Sequence, residues 1–168
     1  MRTVIHARGL TLIECLIALV VLGIGLLGMA GLMIQGLGSG HDALMRTQAL
    51  NLVTDMAERI RANPAAAAAY DCASYGSSPA TRNCAPTHSA TGTNCTATQL
   101  AEDDLARWQQ TARTLLPLAS SACAANVEYA APGTSDEPAR FRVSVAWLEH
   151  GDPTPVTYRS DLLLVPPP

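Results

Sequence analysis

Lysine is absent from this sequence, and basic residues of any kind are few. All eleven basic residues are arginine, against fourteen Asp and Glu residues, so the formal net charge is −3 at pH 7. A protein that binds nucleic acid needs a stripe of basic residues to neutralise phosphates. Because the sequence has no such stripe, we do not expect nucleic acid as a direct partner.

The sequence also lacks catalytic motifs. It contains no G-x-S-x-G motif, and His41, His88 and His150 have no nucleophile or acid at a diagnostic spacing. Asp103 and Asp104 are adjacent, so on a helix they point to different faces and form a poor acid–base pair. We interpret these two residues as solvated acids near a helix start. The sequence therefore predicts a protein that is not an enzyme and has no catalytic residue.

Paired cysteines of the kind that hold zinc are missing as well. Cys72, Cys84, His88 and Cys95 could be drawn as a zinc site, with spacings of 12, 4 and 7 residues. These spacings lack the C-x₂₋₄-C arrangement that brings two thiolates to one ion. We therefore expect no metal site, and nothing in the sequence indicates a cofactor.

A long apolar run near the N-terminus is the most distinctive feature of the sequence. From Leu10 to Ile34 it has 25 residues, about 37 Å as α-helix, which exceeds the hydrocarbon core of a bilayer at about 30 Å. Glu14 is the one charged residue within it, and acids in membrane helices are costly and usually functional. If the chain began at Leu10, its largely cationic α-amine could pair with Glu14, since residues four apart share a helix face.

The basic residues that flank the apolar run predict its orientation. Arg2 and Arg8 precede the run, and the next basic residue after it is Arg46. By the positive-inside rule, the N-terminus should lie in the cytoplasm and the residues after the run should lie outside it. Loss of Arg2 and Arg8 with a leader peptide would make the remaining chain still more acidic.

Four of the five cysteines follow the run and would lie in an oxidising compartment: Cys72, Cys84, Cys95 and Cys123. Four cysteines allow three disulfide pairings, and the sequence alone does not choose among them. Proximity along the chain favours Cys72 with Cys84 and Cys95 with Cys123. Cys15, within the apolar run, should stay a thiol.

Apolar residues return at helical spacing after the glycine-rich residues 36–40. They recur every three or four positions, with charged residues on the other faces, which is typical of an amphipathic helix. These apolar positions are Leu44, Ala49, Leu50, Val53, Met56, Ala57 and Ile60. Asn63 and Pro64 end the pattern. We predict one long helix from Leu10 to about Ala62, with a bend or a melted joint at the glycines.

A loop and a second helix should follow the long helix. Residues 71–98 are rich in Ser, Thr, Gly, Pro and Asn, which predicts a loop held by disulfide rather than by a core. Apolar residues at helical spacing then predict a second amphipathic helix over residues 99–116. Trp108 lies on the apolar face of that helix, so we expect it in the core.

The last third of the chain changes to the period of a β-strand. Phe141, Val143, Val145 and Trp147 alternate with more polar residues, which predicts a half-buried strand and places Trp147 in the core. The segments 126–130 and 156–165 should be its partner strands. The predicted fold class is therefore α+β, with the long helix packed on an antiparallel sheet of three or four strands.

The residues around Gly9 resemble the class III signal of type IV pilins and pseudopilins. The signal has a basic residue, Gly9, a hydrophobic residue, Thr11-Leu12-Ile13-Glu14 and an apolar run. In that family a prepilin peptidase cuts after the glycine and N-methylates the new first residue, and the subunit polymerises through its N-terminal helix. The resemblance implies cleavage between Gly9 and Leu10, methylation of Leu10, and pairing of Glu14 with a subunit amine. Two positions differ, since phenylalanine is common at Leu10 and valine or leucine at Cys15.

Three later stretches resemble the minor-pilin group called PilV, the type IV pilus modification proteins. They are Arg59-Ile60-Arg61-Ala62-Asn63-Pro64, Ala101-Glu102-Asp103-Asp104-Leu105-Ala106-Arg107-Trp108 and Arg142-Val143-Ser144-Val145-Ala146-Trp147. The order of elements is also similar to that of the family: long helix, variable loop, short helix and small antiparallel sheet.

The resemblance implies a division of the chain into a cleaved leader, a membrane segment and a periplasmic domain. These are residues 1–9, residues 10–35 as the transmembrane and assembly half of the helix, and residues 36–168. Within the domain we expect four parts in chain order. They are the amphipathic half of the helix at 41–62, the disulfide loop at 71–98, the short helix at 99–116 and the sheet at 125–165.

The resemblance further implies a structural minor pilin that supports pilus assembly, adhesion or motility. Its partners would be other major and minor pilins, the prepilin peptidase, the inner-membrane assembly machinery and the membrane itself. It would lie in the bacterial inner membrane with its domain in the periplasm, and on the cell surface after assembly. Two alternatives stay open: a minor pseudopilin of a type II secretion system, which shares the leader, and a signal-anchored periplasmic binding module.

Overall fold

The computed structural model describes residues 11–75, 79–84, 94–118, 124–134, 137–149 and 151–164. Within these residues the chain forms two α-helices, two short 3₁₀ helices between them, and three β-strands. The chain divides into two compact units, Met1–His41 and Asp42–Pro168. We call them the helical unit and the core unit.

Helix α1 spans Leu12–Ala62. In the core unit its buried residues recur every three or four positions, as the amphipathic pattern predicts. These residues are Met45, Ala49, Leu52, Val53, Met56, Ala57 and Ile60. Helical structure continues through residues 36–40, so the melted joint predicted there is wrong. A glycine costs only about 1 kcal/mol relative to alanine, which the turns on either side can absorb.

Two 3₁₀ helices, Pro64–Tyr70 and Cys72–Tyr75, follow α1. Helix α2 then spans Ala97–Leu115, beginning two residues before the predicted helix and ending one residue before its predicted end. Its start is determined by a capping box, in which the Thr96 side chain accepts a hydrogen bond from Gln99 N at 3.2 Å. The Gln99 side chain in turn accepts one from Thr96 N at 3.0 Å.

The three strands form one antiparallel sheet in the order β1-β2-β3. Their bounds are Ala125–Ala130, Ala139–Trp147 and Val156–Leu164. Val127 of β1 lies opposite Val143 of β2, and Phe141 of β2 lies opposite Leu162 of β3. All four side chains are buried, so they belong to the inner face of the sheet. The predicted fold class, α+β with a long helix and a small antiparallel sheet, is confirmed.

The core of the core unit combines side chains from α1, α2 and the sheet. Trp108 of α2 and Trp147 of β2 are each 1% exposed, which confirms that both belong to the core. The Trp108 Nε1 atom donates a hydrogen bond to Leu52 O at 2.8 Å. This bond satisfies the buried indole and ties α2 directly to α1.

A buried polar network joins the end of α1 to α2. Asp104, 8% exposed, accepts hydrogen bonds from Arg59 Nη1 at 2.8 Å and from the Tyr70 hydroxyl at 2.9 Å. Asn63 Nδ2 donates to Ala97 O at 2.8 Å. Burial raises the pKa of Tyr70 well above its ordinary value, so the hydroxyl keeps its proton and remains a donor. The prediction that Asp104 is solvated is wrong, because its carboxylate is enclosed between these elements.

We predict that Tyr70→Phe destabilises the core unit by about 1–3 kcal/mol, because it leaves the buried Asp104 without one of its donors. Unfolding of the full chain in detergent can be followed by tryptophan fluorescence, since Trp108 and Trp147 are both buried in this unit. Tyr158→Phe is the matched control, because Tyr158 is 37% exposed and should change stability by less than about 0.5 kcal/mol. Equal effects of the two substitutions would contradict the prediction.

Candidate functional site

The residues predicted to carry function begin where helix α1 begins. Thr11 O accepts hydrogen bonds from Glu14 N at 3.1 Å and Cys15 N at 3.3 Å, which close the first turn. Glu14 is exposed there, where an acid suits the positive end of the helix dipole. Gly9 and Leu10, the predicted cleavage position, lie outside the described residues.

The helical unit exposes its large apolar side chains on every side. Between Leu12 and Leu37 the exposed fractions of these side chains run from 52% at Leu16 to 84% at Leu12. Helix α1 is long and apolar enough in this part to cross a membrane, and none of its most apolar window is buried within the structure. An apolar surface of this extent, facing outward all around, is compatible with lipid or with other helices as its surroundings.

Four glycines lie within this apolar part of the helix: Gly23, Gly25, Gly28 and Gly31. A Cβ atom built at any of them would meet no other atom within 4 Å. Contacts within the described chain therefore give no steric reason for glycine at these positions. Small residues on apolar helices let the backbones of neighbouring helices approach closely.

The cysteines are the second group of predicted site residues. A disulfide joins Cys84 to Cys95, with their Cα atoms 5.6 Å apart. The predicted pairs, Cys72 with Cys84 and Cys95 with Cys123, are therefore wrong. Cys72 is fully buried in the core and its Sγ accepts a hydrogen bond from Gln109 Nε2 at 3.3 Å, whereas Cys84 lies beside the start of α2. Cys123 lies outside the described residues.

Asp103, 1% exposed, holds the backbone that leads to Cys84. Its Oδ1 accepts hydrogen bonds from Arg82 N at 2.7 Å and Asn83 N at 3.0 Å. Its Oδ2 accepts from Cys84 N at 3.2 Å and Arg107 Nε at 2.8 Å. Asn83 has a φ of 60°, and a left-handed residue in such a position lets successive N–H groups converge on one anion.

The charge of Asp103 is balanced by these donors. Burial by itself would raise the pKa of Asp103, but the hydrogen bonds from Arg107 and from the backbone of Arg82 and Asn83 outweigh it and lower the pKa. Glu102 also binds the segment that leads to Cys84. It accepts a hydrogen bond from Ala80 N at 3.2 Å and forms an ion pair with the Arg82 guanidinium. Segment 79–84 is thus bound to the first turns of α2 through carboxylates.

The sequence analysis missed this role of Asp103, and its prediction that the residue is solvated is wrong. The one local signal is Arg107, which lies four residues further along the helix and forms an ion pair with Asp103. The three remaining donors are backbone amides about twenty residues upstream. Backbone donors leave no mark in side-chain identity, so the pattern of the sequence could not reveal them.

Two family models match adjoining parts of the chain. Residues 6–30 match the prokaryotic N-terminal methylation motif, and residues 31–106 match a family described as type IV pilin Tt1218. Neither a curated protein nor a solved structure matches the chain significantly. Proteins of the type IV pilin family are structural rather than enzymatic. The two matches together cover all of α1 and the first half of α2, so this part of the chain is similar to type IV pilins and carries the N-terminal methylation motif.

Proposed function

We propose that the chain is a minor subunit of a type IV pilus, of the PilV group, that supports pilus assembly, adhesion or motility. The observation that carries the proposal is the contrast between the two units. The core unit has an apolar core, whereas the helical unit exposes large apolar side chains on all sides. Lipid would cover that surface before assembly, and the helices of other pilins would cover it afterwards.

Orientation and processing complete the proposed pathway. Prepilin peptidase would cut between Gly9 and Leu10 and methylate Leu10, leaving residues 10–35 in the inner membrane. The core unit would lie in the periplasm, which agrees with the disulfide between Cys84 and Cys95, since disulfides persist in oxidising compartments. Other pilins and the inner-membrane assembly machinery would then be its partners.

Transfer of helix α1 from lipid into a bundle of like helices is the proposed assembly step. Because hydrocarbon already solvates the apolar side chains, the hydrophobic effect contributes little to this transfer, and close packing and polar contacts must supply specificity. The glycines at 23, 25, 28 and 31 leave space for neighbouring helices. Glu14, exposed in the first turn, would pair with a Leu10 amine and set the axial register.

The first prediction from this proposal concerns the mature N-terminus. Mass spectrometry of protein extracted from membranes should find a chain that begins with methylated Leu10. Replacement of Gly9 by a larger residue should leave the leader attached, since the glycine marks the cut in this family. A mature chain that begins beyond Ile34 would reject the proposal, because the apolar helix would then be a discarded signal. Recovery in secretion pseudopili rather than in surface pili would instead favour a pseudopilin.

The second prediction concerns Glu14. Glu14→Val should leave the protein in the membrane but lower its content in purified pili by about tenfold, which corresponds to about 1.4 kcal/mol of subunit affinity. Cys15→Val is the matched control, because it places the residue usual in the family beside Glu14 and should enter pili like the wild type. Quantitative immunoblots of membranes and sheared pili give both numbers. Normal incorporation of Glu14→Val would remove the proposed register contact.

A further inference from the structure

The two cysteines of the disulfide are both attached to the first turns of helix α2 by contacts that involve no sulfur. Cys95 directly precedes Thr96, whose side chain and backbone form the capping box with Gln99. Cys84 is held through its backbone N–H, which donates to Asp103 Oδ2 at 3.2 Å. These contacts hold the backbones of Cys84 and Cys95 in addition to the bond between their sulfurs.

Distance along the chain does not explain the pairing that the structure shows. Cys84 lies 11 residues from Cys95 and 12 residues from Cys72. The entropy of loop closure varies only with the logarithm of loop length, so it hardly distinguishes these two partners. Contacts in the folded chain must therefore favour Cys95 over Cys72 as the partner of Cys84.

We propose that Asp103 is a positioning residue for disulfide formation: it holds Cys84 beside Cys95 while both are thiols and so selects this pair. Its carboxylate accepts hydrogen bonds from three consecutive backbone N–H groups, those of Arg82, Asn83 and Cys84, at 2.7, 3.0 and 3.2 Å. Pre-ordering the dithiol state raises the effective concentration of one thiol at the other.

The chemistry is ordinary thiol–disulfide exchange, with a disulfide of a thiol oxidase as the oxidant. One cysteine thiolate attacks that disulfide, forms a mixed disulfide and releases one oxidant sulfur as a thiolate. The second cysteine thiolate attacks the mixed disulfide, closes the bond between Cys84 and Cys95, and releases the other oxidant sulfur. The oxidant gains two electrons and the two protons that the cysteines lose. Asp103 takes part in no bond change, because its hydrogen bonds to the segment of Cys84 are with backbone N–H groups.

Asp104 provides the control that distinguishes positioning of Cys84 from a general contribution to stability. It neighbours Asp103 and its carboxylate is also mostly buried, but its partners are Arg59 and Tyr70. Loss of either carboxylate should destabilise the core unit. Only loss of Asp103 should weaken the preference of Cys84 for Cys95.

The test equilibrates the full chain in detergent with mixtures of reduced and oxidised glutathione, then blocks free thiols. Trypsin cuts only after arginine here, since lysine is absent, so Cys84 and Cys95 share the peptide of residues 83–107. Cys72 lies on a different peptide, residues 62–82. The mass of the first peptide reports its oxidised fraction, and peptides joined by a disulfide report wrong pairs.

Asp103→Asn should lower the effective concentration of the pair by about 10- to 100-fold, the range expected for lost hydrogen bonds to a charged group. Disulfides between Cys84 and cysteines other than Cys95 should also appear in this variant. Asp104→Asn should change the effective concentration by less than about threefold, because its partners, Arg59 and Tyr70, are not part of the segment that carries Cys84. An unchanged value in Asp103→Asn, or equal losses in both variants, would overturn the proposal.

A measurement on the wild-type chain keeps the proposal testable if Asp103→Asn does not fold. Hydrogen exchange of the amides of Arg82, Asn83 and Cys84 is compared between the oxidised and the fully reduced protein. If Asp103 holds this segment independently of the disulfide, protection of the three amides should persist after reduction, with less than about a tenfold change. Loss of that protection on reduction would show that the disulfide orders the segment, and would overturn the proposal.

Discussion

Burial of one face of helix α1 is the interaction on which the rest of the core unit depends. A sheet of three strands cannot enclose its own apolar face, and needs a helix or a second layer to cover it. Met56 and Ile60 of α1 are fully buried in the same core as Phe141 and Val143 of the sheet. Trp108 adds α2 to this core and bonds directly to the α1 backbone at Leu52. The part of helix α1 from Met45 to Ile60 is therefore a component of the core unit.

The same helix has a different pattern in the helical unit, and this difference suggests two environments for one element. No charged residue lies between Glu14 and Asp42, and the large apolar side chains of this part are exposed all around. Water is a poor solvent for such a surface, whereas lipid and apolar helices are suitable ones. The core unit thus folds around half of α1, and the other half stays available for the membrane and for assembly.

Helix α2 organises the polar contacts of the core unit through two adjacent acids that point in different directions. Asp104 binds Arg59 and Tyr70, and so connects α2 to the end of α1. Asp103 binds backbone amides next to Cys84 instead. Buried carboxylates are costly unless several donors satisfy them, and each of these has more than one. Their burial therefore requires α1, the 3₁₀ helix Pro64–Tyr70 and segment 79–84 to be in place around α2.

The sequence by itself determined the elements whose pattern is local. Repeats of three to four residues marked α1 and α2, alternation marked β2, and the apolar run with Glu14 and the glycine before it pointed to the pilin family. Only the tertiary structure decided that Cys84 pairs with Cys95 and that Asp103 and Asp104 are buried. Periodicity depends on neighbours along the chain, so it can be found in the sequence. Pairing and burial depend on residues and backbone amides that meet only after the chain has folded.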